Sequence, residues 1–361
     1  MVAVMWRGAW EWSDGGGAYR YFGLACCSSC IPGSTPRVIK IGLIAPFEGL
    51  YRRTGYAALD EMHKTLAANA PASTAFRIMP VALDDGGDPE QARRAAQKLL
   101  VDPEVRAIVG PLFPQTIAAV QEVMQLRPDV LWLPVDQLWS VQIDPLPASP
   151  SRGRSFNPLP SRGGLGRGEQ WPGHYESVLI ATVAEYAALQ GADRLLLAGG
   201  DVGAAAQNES LQFSQTDIPV QFADEPTAVQ ADDAVLWLGD PAGAANFLNR
   251  LRLDQPQVPF WMGVNGGDPV FAERAQSLDN VYWAIEVDDG FDAWLQATPA
   301  APPLAYLIYQ ATQLAIAVVE NQASPSAWTR SDLVDSPPHF QLYQIRTDGV
   351  SSPVDAASLP R

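Results

Sequence analysis

The stretch VALDDGGDPEQARRAAQKLL, residues 81–100, carries a strand end, a turn and a helix start in immediate succession. Its head completes an apolar run over 76–83 that reads as a strand. Asp84, Asp85, Gly86 and Gly87 then supply turn chemistry. Asp88 is placed to cap a helix, and Gln91 completes a capping box. Pro89 suits the first helical position, because the N–H it lacks would have no partner there. The stretch therefore predicts one strand-to-helix unit with its helix over 89–100.

Outward from it the same rhythm repeats. A strand over 38–45 and a helix over 55–69 come before it; a strand over 107–110, a helix over 116–125 and a strand over 130–133 follow. After a break the alternation resumes with a helix over 175–189, strands over 194–198, 220–222 and 234–238, a helix over 241–252 and a strand over 259–263. Short apolar strands alternating with amphipathic helices predict parallel sheets covered on both faces, a doubly wound α/β class. Segment 281–284, a buried helix over 304–319 and an alternating strand over 340–345 complete the chain. At 361 residues it exceeds what one core usually serves, so two domains are expected.

The break itself, residues 145–170, is rich in Pro, Gly, Ser and Arg, with Pro-Leu-Pro and Ser-Arg-Gly recurring. So few apolar groups do not repay the entropy of ordering, and a disordered insertion is expected. Its Gly164, Gly166 and Gly168 do not make a phosphate loop, since no strand precedes them.

The formal charge is −16; residues 1–36 sum to zero and 145–170 are net positive, so the remaining body is more acidic than the whole. Such a body repels phosphate backbones, and no basic stripe interleaved with aromatics offsets this, so nucleic acid is excluded as a partner. Histidines 63, 174 and 339 lie far apart, and neither a nucleophile elbow, a P-loop nor a two-histidine metal helix occurs, so no enzymatic chemistry and no cofactor is expected. The longest apolar stretch, 304–319, is interrupted by Gln310, Thr312 and Gln313 and reads as a buried helix rather than a membrane span.

All three cysteines, Cys26, Cys27 and Cys30, lie near the amino terminus. Residues 1–23 lack the basic and apolar regions of an export signal, yet Gly23-Leu24-Ala25-Cys26-Cys27 has the form of a worn lipoprotein cleavage box. Lipid attachment at Cys26 or Cys27, a shifted start and a disordered tail all remain open readings of 1–36.

Four stretches together bear a resemblance to a known family: IKIGLIAPFEG at 39–49, VALDDGGDPEQARRAAQKLL at 81–100, VRAIVGPLFPQT at 105–116 and DAVLWLGDPAGAANFLNRLR at 233–252. In that order and spacing the chain resembles the type I periplasmic binding proteins, specifically the branched-chain amino-acid receptors that feed ABC importers. The resemblance implies two lobes joined by three crossovers, near 143–171, 263–281 and 330–340. Lobe 1 would comprise 37–143 and 280–330, and lobe 2 would comprise 171–279 and 338–361. It also implies an extracytoplasmic location, a small-molecule ligand in the interlobe cleft and an importer permease as partner.

The same resemblance nominates cleft residues and shows departures from the family pattern. Where relatives hold the ligand carboxylate with Ser or Thr after a Gly-Pro-Leu turn, this chain has Phe113, Pro114 and Gln115. A Thr after the next strand corresponds to Asp136, and an aromatic and a Tyr of lobe 2 correspond to Val202 and Asp240. The ammonium-binding acid falls near Asn265, and Thr54 is carried onto the cleft as well. The amino-acid signature is thus lost. Either the cleft takes a polyol, amide or cationic solute, held by Asp136, Asp240 and Asn265 beside Phe113, or it has lost its ligand. Asp240 before Pro241 reads equally as a helix cap, Asp136 as a solvated loop acid, and Trp237 and Trp261 as core. A sensor or protein-binding scaffold of the same fold is the alternative function.

Overall fold

A computed structural model describes residues 36–71, 76–135, 174–199, 218–223, 225–288, 290–298, 301–323 and 339–354. The expected insertion at 145–170, lipid sites Cys26 and Cys27, and candidates Asp136 and Val202 lie outside these residues.

The first sheet is parallel, with β1 (Arg37–Ala45), β2 (Phe76–Asp84), β3 (Val105–Val109) and β4 (Leu131–Leu133) in the order β2-β1-β3-β4. The two-residue period of β1 decides what covers it. Ile39, Ile41 and Leu43 face the helix α1 (Arg52–Asn69), through Ala58, Met62 and Leu66. Ile44 faces the opposite side, where α2 (Pro89–Val101) and α3 (Pro114–Met124) supply Ala92, Ala96, Leu99, Val120 and Val123. Asp88 caps α2 as expected, accepting the Gln91 N–H at 2.8 Å.

The second sheet has seven strands in the order β11-β10-β9-β8-β7-β5-β6. Strands β5 (Arg194–Ala198), β6 (Val220–Phe222), β7 (Asp233–Trp237), β8 (Phe260–Met262) and β9 (Val281–Val287) run parallel. Helix α4 (His174–Leu189) covers one face through Leu179, Ile180, Val183 and Ala187. Helices α5 (Pro241–Asp254) and α6 (Pro269–Arg274) cover the other through Phe247, Leu248, Leu251 and Phe271. Trp261 is fully buried among the first group, as a core residue. The returning strand β10 (His339–Ile345) and β11 (Ser351–Pro353) add antiparallel at the edge, so this sheet is mixed rather than wholly parallel.

Two boundaries differ from expectation. Residues 281–287 belong to lobe 2, because β9 is flanked by β8 and β10 and buried on both faces. The chain crosses after Val287, not at 263–281, which instead holds a short turn and α6 between the parallel strands β8 and β9. Beyond the crossing, α7 (Phe291–Ala297) and α8 (Leu304–Ala323) return to lobe 1, where α8 packs on α1 and β3. Trp294 donates its indole N–H to the buried Glu61 of α1 at 3.1 Å, and Tyr306 and Gln310 of α8 both donate to Asp288 at the crossing itself. The crossovers expected near 143–171 and 330–340 fall almost wholly outside the described residues.

Candidate functional site

Strand carboxyl ends of both sheets meet at one place, and the side chains found there come from helix starts. On lobe 1, Asp84 accepts from the N–H groups of Phe47 at 2.6 Å, Glu48 at 3.2 Å and Gly86 at 3.1 Å, which ties the β1–α1 loop to the β2–α2 loop. That loop delivers Tyr51, the residue before α1. Its ring packs against Phe113 with centroids 4.5 Å apart. Gly87 also lies close to it, with a backbone φ of +73° and a position where a Cβ would stand 3.0 Å from the Tyr51 ring. Phe113 is completely buried, and its carbonyl accepts the Thr116 hydroxyl at 2.9 Å as α3 begins with Pro114 at its first turn.

On lobe 2, Asp240 caps α5, accepting from Ala242 and Gly243 N–H at 3.0 and 2.9 Å. Asp268 caps α6 in the same way, accepting from Val270 N–H at 2.8 Å. Both acids precede a proline, as Asp88 does, so the same three-residue logic starts all three helices. Trp237, expected in the core, packs on Phe247 but is only partly buried, and its indole N–H donates to the Asp240 carbonyl at 3.0 Å.

The lobes are joined across this place by three side chains of lobe 1 within residues 51–54. The Tyr51 hydroxyl donates to Asp240 Oδ1 at 2.5 Å and accepts from Ala242 N–H at 3.3 Å. The Thr54 hydroxyl donates to Asp268 Oδ2 at 2.6 Å, with both residues buried. Arg53 pairs with Glu273 at 2.6 Å on the exposed rim. Tyr51, Phe113, Val270 and Ala242 form one apolar cluster that spans the lobes. Burial first, and then the Asp240 carboxylate, push the Tyr51 phenol above its ordinary range, so it stays a neutral donor. Burial likewise raises Asp268, against the opposing hydrogen bonds from Thr54 and Val270. Asp85, buried behind the β2–α2 turn, is pushed up to about 6 chiefly by burial.

Of the residues nominated from sequence, Thr54, Phe113 and Asp240 come together here. Asp240 is indeed a helix cap, and it is a contact across the lobes at the same time. Asn265 is buried in the turn that leads to Asp268, its carbonyl accepting the Asp268 N–H at 3.2 Å. Pro114 and Gln115 are half-buried in the first turn of α3. Tyr51 and Asp268 were not nominated. Asp268 had a legible signal, the repeated Asp-Pro helix start, whereas Tyr51 was hidden because α1 begins at Arg52 instead of Gly55. Among the described residues no group of three or more His, Cys, Asp or Glu is placed to hold a metal.

No protein-family profile and no curated protein matches the sequence. Solved structures do match along nearly their whole length. The leucine-binding protein LivK from Thermotoga maritima aligns at a TM-score of 0.59 and 13% identity, covering 88% of this chain and 98% of its own. A possible leucine/isoleucine/valine-binding protein from Rhodopirellula baltica gives 0.57 and 14%, covering 91% and 99%. The branched-chain amino-acid transporter substrate-binding protein LivJ from Streptococcus pneumoniae, solved with isoleucine, gives 0.55 and 15%, covering 88% and 99%. At such identities the likeness is one of fold, and it is the two-lobed α/β fold of the type I periplasmic binding proteins that this chain shares.

Proposed function

We propose that the chain is an extracytoplasmic solute-binding protein that captures a small polar solute between its lobes and delivers it to the permease of an ABC importer, with no chemistry of its own. The observation that carries this reading is the facing of two strand-end surfaces across one cleft, each built from loops and helix starts, in a fold shared with substrate-binding proteins. Thr54, Phe113, Asp240 and Asn265 are the wall residues of this proposal, with Pro114 and Gln115; Asp136 and Val202 are carried into it by the family resemblance alone. Anchoring by a lipid on Cys26 or Cys27 fits the same location. Among the described residues no helix is long and apolar enough to cross a membrane.

The solute is not a standard branched-chain amino acid. In lobe 2 the N–H groups at the starts of α5 and α6 are already engaged by Asp240 and Asp268, and those carboxylates would repel a ligand carboxylate. Cations, polyols and amides offer the donors that such acceptors need. One observation favours a second reading, a sensor or protein-binding scaffold of the same fold: the cleft contacts are made by the chain's own Tyr51 and Thr54.

A melting screen of the purified chain against amino acids, polyamines, amides, sugars and nucleobases tests the proposal. A solute present at 100 times its Kd stabilises the folded state by about 2.7 kcal/mol, enough for a shift of several degrees. One responding class names the solute. No response across the panel would overturn the transport reading in favour of the scaffold.

A further inference from the structure

One side chain of the protein itself bridges the two lobes. Tyr51 touches both lobes: Phe113 and Gly87 on lobe 1, Ala242, Val270 and the Asp240 carboxylate on lobe 2. Only 7% of it is exposed. Its hydroxyl makes both bonds that a hydroxyl can make at a capped helix start, donating to the cap carboxylate and accepting the Ala242 N–H. Gly87 is what makes room for the ring, since a side chain there would press on it. Thr54, three residues on, fills the equivalent role at Asp268, and Arg53 adds the rim pair to Glu273. These contacts all issue from 51–54, so parting of the lobes releases them together.

We infer that Tyr51 is a built-in occupant of the cleft, which latches the lobes shut and selects the solute, because only a solute that offers a hydrogen-bond donor to Asp240 can replace its phenol. The inference rests on the solute-binding reading for its selective role; the latch itself does not depend on it. Apolar contact and hydrogen bonds are both given up on opening, but the carboxylates regain water, so the open form is a minor state rather than an inaccessible one. A solute then binds only the open fraction, and its apparent affinity is lowered by that fraction.

Small-angle X-ray scattering of the full chain without added solute reads the latch directly. Wild type is compared with Tyr51→Phe, which keeps the ring, and with the double variant Tyr51→Ala/Thr54→Val, which removes both bridging hydroxyls. Cooperative melting of each variant is the folding control. The expected result is a scattering profile of closed lobes for wild type, a larger radius of gyration for the double variant, and Tyr51→Phe between them. Equal radii for wild type and a cooperatively melting double variant would overturn the latch. Should the double variant not melt cooperatively, Tyr51→Phe alone decides, since it deletes one atom from a ring that stays in place. For any solute found by the melting screen, Tyr51→Ala is expected to tighten binding by at most about 10- to 100-fold, the inverse of an open population near 1–10%, since the Thr54–Asp268 bond remains. An unchanged or weakened affinity would overturn the selective role. An opened double variant combined with no responding solute would keep the latch and reject the solute-binding reading, so the two failures are distinguishable.

Discussion

Asp268 accepts one hydroxyl and one backbone N–H while buried, so its carboxylate depends on each donor. Thr54→Val removes the hydroxyl at nearly constant shape and is expected to cost about 1–3 kcal/mol in urea unfolding at pH 7. The cost should shrink near pH 4, because burial already raises the Asp268 pKa and the lost donor was opposing that rise. Asp85 makes a second pH-dependent contribution. Its folded pKa, near 6, lies above the ordinary 3.8 of the group, so the stability it brings is full below 3.8 and is lost as pH rises through 6. Asp85→Asn removes that titration. Its stability relative to wild type is expected to climb by about 3 kcal/mol between pH 3 and pH 7, from the 1.36 kcal/mol per pKa unit of linkage. Parallel unfolding curves with no pH trend in the difference would contradict the shift. At this scale the sequence revealed caps better than contacts. Asp240 was readable both as a cap and as a cleft acid; it is a cap, and it also accepts from Tyr51, a partner 189 positions away to which no spacing rule joins it.

Helix α1 fixes the latch only because it can come close to the β1–α1 loop. A Cβ on Gly55 would stand 2.0 Å from the Pro46 carbonyl oxygen, a contact that backbone must move to relieve. Gly55→Ala is therefore expected to destabilise by about 3 kcal/mol or more, beyond the usual range for an overpacked site, with chemical denaturation as the check. A loss below 1 kcal/mol would show that the helix start is free to shift. Most elements were legible because period and capping are local: β1, β2, α2, β5 and α5 stand within a few residues of their expected places. The assignment of 281–287 was not. An apolar run marks a strand buried on both faces, but nothing local states which sheet flanks it, and β9 is claimed by β8 and β10. The start of α1 was missed for a similar reason, since Arg52, Arg53 and Thr54 carry no apolar pattern and their ordering comes from lobe 2.

The described residues make two sheets whose helix starts face each other, with the crossing after Val287 held by Tyr306 and Gln310 through Asp288. One apolar cluster runs through both lobes and includes Val287, Phe291 and Tyr306 around that crossing. Opening is thus expected to bend the chain near the crossing while the sheets move as rigid units, as hinge closures do. The central claim, that a small solute binds between the lobes, is tested most directly by hydrogen–deuterium exchange of the full chain with and without the solute class that raises its melting temperature. The account expects slowed exchange in residues 110–117 of lobe 1 and 240–248 of lobe 2 together. Slowing confined to one lobe, or none at a saturating solute concentration, would contradict it.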